Sequence, residues 1–137
     1  MNRHRHPLDS SPAQPSVETF PERLAKPTPV LFDGATGTEL ARRGFDVSRP
    51  TWSAAANWEA PELLTAIHED YLRTGADAIT ANTFLTHERN LRAAGLGIGA
   101  AQATRLAVEI ARGASGGNVW IAGSQSPLED CYRPDRT

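Results

Sequence analysis

Residues 61–81 read PELLTAIHEDYLRTGADAITA and hold one complete passage from helix to strand. Pro61 suits the first helical position, where its missing N–H costs nothing, and Glu62 complements the positive end of the helix dipole. Leu63, Leu64, Ile67 and Tyr71 recur at helical spacing, which predicts one apolar face. Gly75 stops the helix. The run Ala76-Asp77-Ala78-Ile79-Thr80-Ala81 then predicts a buried strand.

The same grammar extends in both directions. Upstream, Pro29-Val30-Leu31-Phe32 predicts a buried strand ending at the turn signal Asp33-Gly34. A short helix is expected from Thr38 to Arg43, stopped by Gly44. Residues 45–58 read as loop, with Trp52 and Trp58 packing inward against the sheet or, as the alternative, forming a ligand lid. Downstream, residues 86–94 predict a short helix ending at Gly95. Residues 99–112 predict another, with Ala103, Leu106, Ala107 and Ile110 facing inward and Gly113, Gly116 and Gly117 breaking it. Val119-Trp120-Ile121-Ala122-Gly123 predicts a third strand, and Ser124 to Thr137 a loop. Strands alternating with helices imply an α/β chain with a parallel sheet and right-handed crossovers. An open doubly wound sheet and a barrel both satisfy this order.

Composition narrows the class. Residues 1–28 are expected to be a disordered Pro/Ser-rich arm and residues 29–137 the folded domain; the first 29 residues hold six of the ten prolines. A short helix is expected within the arm over Val17 to Leu24. His4 and His6 flank Arg5 there and read as polar tail, since two loose imidazoles make a poor metal site. A net charge of −2 and no basic face argue against a nucleic-acid partner, so a small molecule is the default ligand. One cysteine, Cys131, cannot form an internal disulfide, which points to a cytoplasmic setting. No apolar run is long enough to span a membrane, and no secretory signal is present.

Chemistry in such a fold collects at the C-terminal ends of the strands. Three segments are expected there: Asp33-Gly34-Ala35-Thr36-Gly37-Thr38, Thr80-Ala81-Asn82-Thr83-Phe84 and Gly123-Ser124-Gln125-Ser126-Pro127. Gly34 and Gly37 allow a close backbone approach to a ligand, and the amides entering the next helix suit a carboxylate. Asp33 beside them suits a cationic amine, so the segment reads either as an amino-acid site or as a capped helix start. Asn82 and Thr83 either bond substrate or tie down neighbouring loops. The first segment is neither G-x-x-x-x-G-K-[ST] nor G-x-G-x-x-G, and Ser124 and Ser126 do not form G-x-S-x-G. No catalytic residue and no metal ligand is assigned. His68 and His87 are expected to be packing or surface residues.

Several motifs in order carry a resemblance. They are Val30 to Leu40, Arg42-Arg43-Gly44, Trp52-Ser53-Ala54, Pro61-Glu62-Leu63-Leu64, His68 to Leu72, Gly75 to Phe84, Ile121-Ala122-Gly123-Ser124, and Pro127-Leu128 with Tyr132 to Asp135. Over roughly residues 29–137 the chain resembles the homocysteine S-methyltransferase family. The resemblance implies a TIM-type (β/α)8 barrel, of which about three β/α units are present. It also implies methyl transfer to the homocysteine thiol, giving methionine, with zinc holding the thiol as the nucleophilic thiolate.

On this resemblance Asp33 meets the homocysteine amino group, the amides of Gly34, Ala35 and Thr36 face its carboxylate, and Asn82, Thr83 and Phe84 line the pocket. The family's three zinc cysteines belong to the later barrel, and Cys131 is at no equivalent position. A full barrel takes about 250 residues. The 137-residue chain is therefore expected to be truncated before the zinc ligands and to be inactive and poorly stable alone. The methyl donor is unspecified among S-methylmethionine, S-adenosylmethionine, betaine and methyl-cobalamin, the last as in a cobalamin-dependent methionine synthase. The alternative is a non-catalytic module that binds an amino acid or a complementary chain completing the barrel.

Overall fold

The structure is a computed structural model and describes residues 18–127, 131–133 and 135. Its sheet is built from short apolar runs. Strand β1 (Ala78–Ala81) pairs in parallel with β2 (Trp120–Gly123), in the register Ala78↔Trp120 to Ala81↔Gly123. Phe32 adds an isolated parallel bridge to Ala78. The three expected strands therefore align, but the first does not form as predicted. Leu31 and Phe32 are 54% and 47% exposed, not buried. The ladder stops there because the Asp77 carboxylate takes the Leu31 N–H at 2.9 Å. Among the described residues no further strand covers their free side.

Among the described residues seven helical pieces accompany this sheet. α1 (Phe20–Leu24) starts with a capping box in which the Glu22 carboxylate accepts from Thr19 N at 2.7 Å. α2 (Thr36–Arg42) begins two residues earlier than expected. Residues 52–59 are not loop: a 3₁₀ turn, Trp52–Ala55, runs into α3 (Ala56–Glu59). The middle of this segment, Ala54 to Asn57, is fully buried, which the three small alanine side chains allow. α4 (Pro61–Arg73) follows the predicted limits and buries Leu64, Ile67 and His68. Gly75 leaves it at φ +97°, a conformation L side chains resist. α5 (Glu88–Ala93) is capped by His87, whose Nδ1 accepts from Asn90 N at 3.3 Å. α6 (Ala100–Ser115) passes through Gly113 and ends only at Gly116, the left-handed cap at φ +56°. The expected break at Gly113 fails because Ala111 and Ser115, on either side of it, are both buried.

Two apolar clusters join these layers. Leu40, Ala56, Leu64 and Ile67 fill the space between α2, α3 and α4. Ala76, Ile79, Ala81 and Ala111 join β1 to α6. Each large side chain fully buried there contributes roughly 1.5–3 kcal/mol. Tyr71 borders both clusters.

Residues 1–17 of the predicted arm lie outside the described residues. The part from Glu18 to Thr28 contains α1 and is attached to the sheet. Phe20 packs edge-on against Phe32 and Trp120, with centroids 6.3 and 5.4 Å away. Arg23 donates to Thr28 O, Pro29 O and the Asp77 carboxylate. Among the described residues no helix is long and apolar enough to cross a membrane.

Candidate functional site

The register brings three segments to one edge of the sheet. Asp33 follows the Phe32 bridge, Asn82 follows β1 and Ser124 follows β2. Alternation along β1 turns Ile79 and Ala81 toward α6, so Ala78 and Thr80 face the other way.

Asp33 is held by Thr80. Its Oδ2 accepts from Thr80 N and its Oδ1 from Thr80 Oγ1, both at 2.8 Å, while its own N–H donates to Ala78 O at 3.0 Å. The helix-capping alternative is not realised: α2 has Ala35 at its N-cap, with no side-chain cap. Thr80 opens one of the strand-end segments expected to carry chemistry, but sequence reasoning assigned it no role of its own. A hydroxyl on the inward face, two residues before Asn82, was the available signal. Gly34 passes so close to α4 that a Cβ on it would lie 2.7 Å from Tyr71 Oη. Ala35 and Thr36 lead into α2, whose first amides have no intrahelical acceptor.

Asn82 ties segments together. Its Nδ2 donates to Ser53 O at 2.7 Å and to Asn57 Oδ1 at 3.0 Å, and its Oδ1 accepts from Ser53 Oγ at 2.7 Å. Asn57 Nδ2 returns a bond to Asn82 O at 3.0 Å. Thr83 joins the two strand ends, since its Oγ1 accepts from Ser124 N at 2.9 Å and donates to Ser124 O at 2.7 Å. Asn57 belongs to no motif and Ser53 only to the Trp52-Ser53-Ala54 stretch of the resemblance, and the fold reveals the part each plays.

Phe84 turns toward a cleft of about 380 Å³. Its ring stacks on Trp52 at 6.3 Å, and Trp52 meets Tyr132 at 5.8 Å. Trp52 thus forms the cleft wall, nearer the alternative expectation of a residue beside a ligand than that of one packed into the sheet. It holds φ at +45°, a strained value for a side chain of this size. Trp58 lines a separate groove with Leu96 and Ile98.

Electrostatics around Asp33 come from α2 and α4. Burial holds the His68 imidazole below its ordinary pKa, with the Asp33 charge opposing. Burial raises the Tyr71 phenol, and the charges of Glu39 and Asp33 add to that. Hydrogen bonding from Arg42 holds Glu39 below the usual carboxylate range. Among the described residues no three of His, Cys, Asp and Glu are grouped to hold a metal. Cys131 and His87 both border the aromatic cleft, but one thiol and one imidazole do not make a closed zinc site.

A family model described as homocysteine S-methyltransferase matches residues 30–137. Homocysteine S-methyltransferase of Escherichia coli is 38% identical over 116 residues, which cover 76% of this chain and 37% of that protein. Homocysteine S-methyltransferase YbgG of Bacillus subtilis is 38% identical over 97 residues, 70% of this chain and 28% of that protein. The solved structure of the homocysteine methyltransferase MmuM from Escherichia coli, in its metallated form, superposes with a TM-score of 0.65 at 32% identity, covering 77% of this chain and 40% of that one. The chain therefore spans well under half the length of these relatives. Because the family match takes in the Asp33 loop, both strand ends and everything to Thr137, the chain belongs to the homocysteine S-methyltransferase family.

Proposed function

We propose that this chain supplies the amino-acid clamp of a homocysteine S-methyltransferase, the part of a (β/α)8 barrel that holds homocysteine while its thiol takes a methyl group to become methionine. The observation that carries the reading is the Asp33 carboxylate, fixed at the strand edge by two bonds from Thr80. An ionised carboxylate offers about four lone-pair sites, so one donor on each oxygen leaves room for an ammonium. Asp33 is the amine acceptor, and the amides of Gly34, Ala35 and Thr36 receive the carboxylate. Asn82 and Thr83 act by holding the pocket walls in place, and Phe84 supplies apolar surface.

Zinc, on the family resemblance, is held by cysteines outside this stretch, and the residues described here do not fit it. This stretch therefore contributes substrate positioning and not thiol activation, and by itself is inactive in a cytoplasmic setting. Isothermal calorimetry with L-homocysteine tests the reading. Binding that weakens by on the order of tenfold or more in Asp33→Asn is expected, given about 1.5–3 kcal/mol for a charge-assisted bond. Equal affinity in both proteins would remove the assignment.

A second reading is favoured by one observation: Leu31 and Phe32 are half-exposed beside a strand edge that is unpaired among the described residues. That edge suits a complementary polypeptide that continues the sheet. Co-purification of such a chain is the expected result, and a stable, cooperatively folding monomer would count against it.

A further inference from the structure

His68 is fully buried, yet neither ring nitrogen has a hydrogen-bond partner among the described residues. An unsatisfied buried polar group is rare enough to call for an explanation. Its position supplies one. Helix side chains tilt toward the N-terminus, and His68 and Tyr71 lie three residues apart, on one face of α4. Tyr71 reaches the backbone at Gly34, next to Asp33, where a Cβ would touch its hydroxyl. The Asp33 charge acts on both rings.

Other charges near this face are already engaged or point away. On α2, Glu39 pairs with Arg42 and Arg43, and Arg43 also pairs with Asp70 of α4. Glu59 of α3 is paired with Arg49. β1 carries no ionisable side chain, and Arg105, Glu109 and Arg112 of α6 are all exposed. Asp33 is thus the carboxylate that a protonated His68 would engage.

We propose that His68 is a positioning residue for Asp33, sharing that carboxylate with the amino group of the ligand, so that protonation of the imidazole and binding of the amino acid exclude one another. A neutral imidazole leaves Asp33 to the ammonium. A buried imidazolium takes the carboxylate itself, because a buried charge needs a partner. Two cations then compete for one anion. The proposal rests on the amino-acid-clamp reading above.

The test is calorimetric titration of the full chain with L-homocysteine between pH 8 and pH 5.5, together with NMR titration of the His68 ring with and without ligand. Below the imidazole midpoint the affinity falls, approaching about tenfold per pH unit for one competing proton. By reciprocity, saturating homocysteine moves the His68 midpoint lower still. In His68→Gln the affinity, whatever its value at pH 8, no longer changes with pH down to 5.5. A His68 midpoint that ligand does not move, or a pH dependence that persists in His68→Gln, overturns the proposal. If His68→Gln does not fold, the ring titration of the natural protein decides. Asp33→Asn with unchanged binding at pH 8 would instead defeat the clamp reading itself.

Discussion

At the scale of single residues, the Asp33–Thr80 pair organises the site. Thr80→Val keeps the backbone donor and shape but removes the hydroxyl donor to Asp33 Oδ1. A loss of about 1 kcal/mol is expected in urea denaturation, with weaker homocysteine binding in calorimetry. Gly34 is sensitive for a steric reason. In Gly34→Ala the new methyl meets Tyr71 Oη at 2.7 Å, and a cost of about 1–3 kcal/mol follows from overpacking. Tyr71→Phe in the same chain should restore only part of this, since the ring carbons lie within 3.1 Å as well. A double-mutant cycle in urea checks it, and independent, additive losses would show that the two groups do not touch. His68 couples stability to pH. Its folded pKa is below the ordinary 6.5, so the unfolded chain binds the extra proton as pH falls. Stability is full above the unfolded value and is lost as pH drops from there toward the folded one. His68→Leu should flatten this part of the profile, read as urea midpoints at pH 8 and pH 5.5. Of these features Asp33 and Gly34 were legible in the sequence. Thr80 and His68 were not, since their partners lie 47 residues away or, for His68, are missing among the described residues.

At the scale of elements, the segment 52–59 hangs on Asn82. The sequence of three alanines carries no helical periodicity of its own, so residues 45–58 read as loop. The segment forms because Asn82 pins Ser53 and Asn57 while Ala54, Ala55 and Ala56 slide into the core. Asn82→Ala leaves the buried Asn57 Oδ1 without its donor, while Asn57 Nδ2 keeps the backbone carbonyl of residue 82; the lost bond costs about 1–3 kcal/mol. Faster hydrogen exchange at Ala55–Asn57 is the expected readout, and unchanged protection there would refute the tether. α4 is the opposite case. Its start at Pro61, its apolar spacing and its stop at Gly75 are local signals, and the helix runs as predicted. α6 shows the limit of reading glycines as breaks: burial on both sides carries the helix past Gly113, and only the left-handed Gly116 ends it.

For the whole molecule, the parallel alternation seen in the sequence is present, with β1 and β2 adjacent and Phe32 bridged to β1. On the barrel reading the remaining strands would cover Leu31 and Phe32. Residues 1–137 alone should then unfold over a broad thermal range and bind a hydrophobic dye, and a sharp, dye-silent transition would contradict this. Local signals set the parallel alternation and the bounds of α4, because helical spacing, apolar runs and turn residues act over a few neighbours, but they left residues 52–59 as loop; the family resemblance came from the order of whole motifs along the chain. Packing decided that Asp33 is held by Thr80, that Asn82 supports a buried turn, that Trp52 walls a cleft and that the buried His68 ring has no partner among the described residues. Those outcomes depend on which side chains face one another after segments tens of residues apart have packed, and no local pattern encodes that.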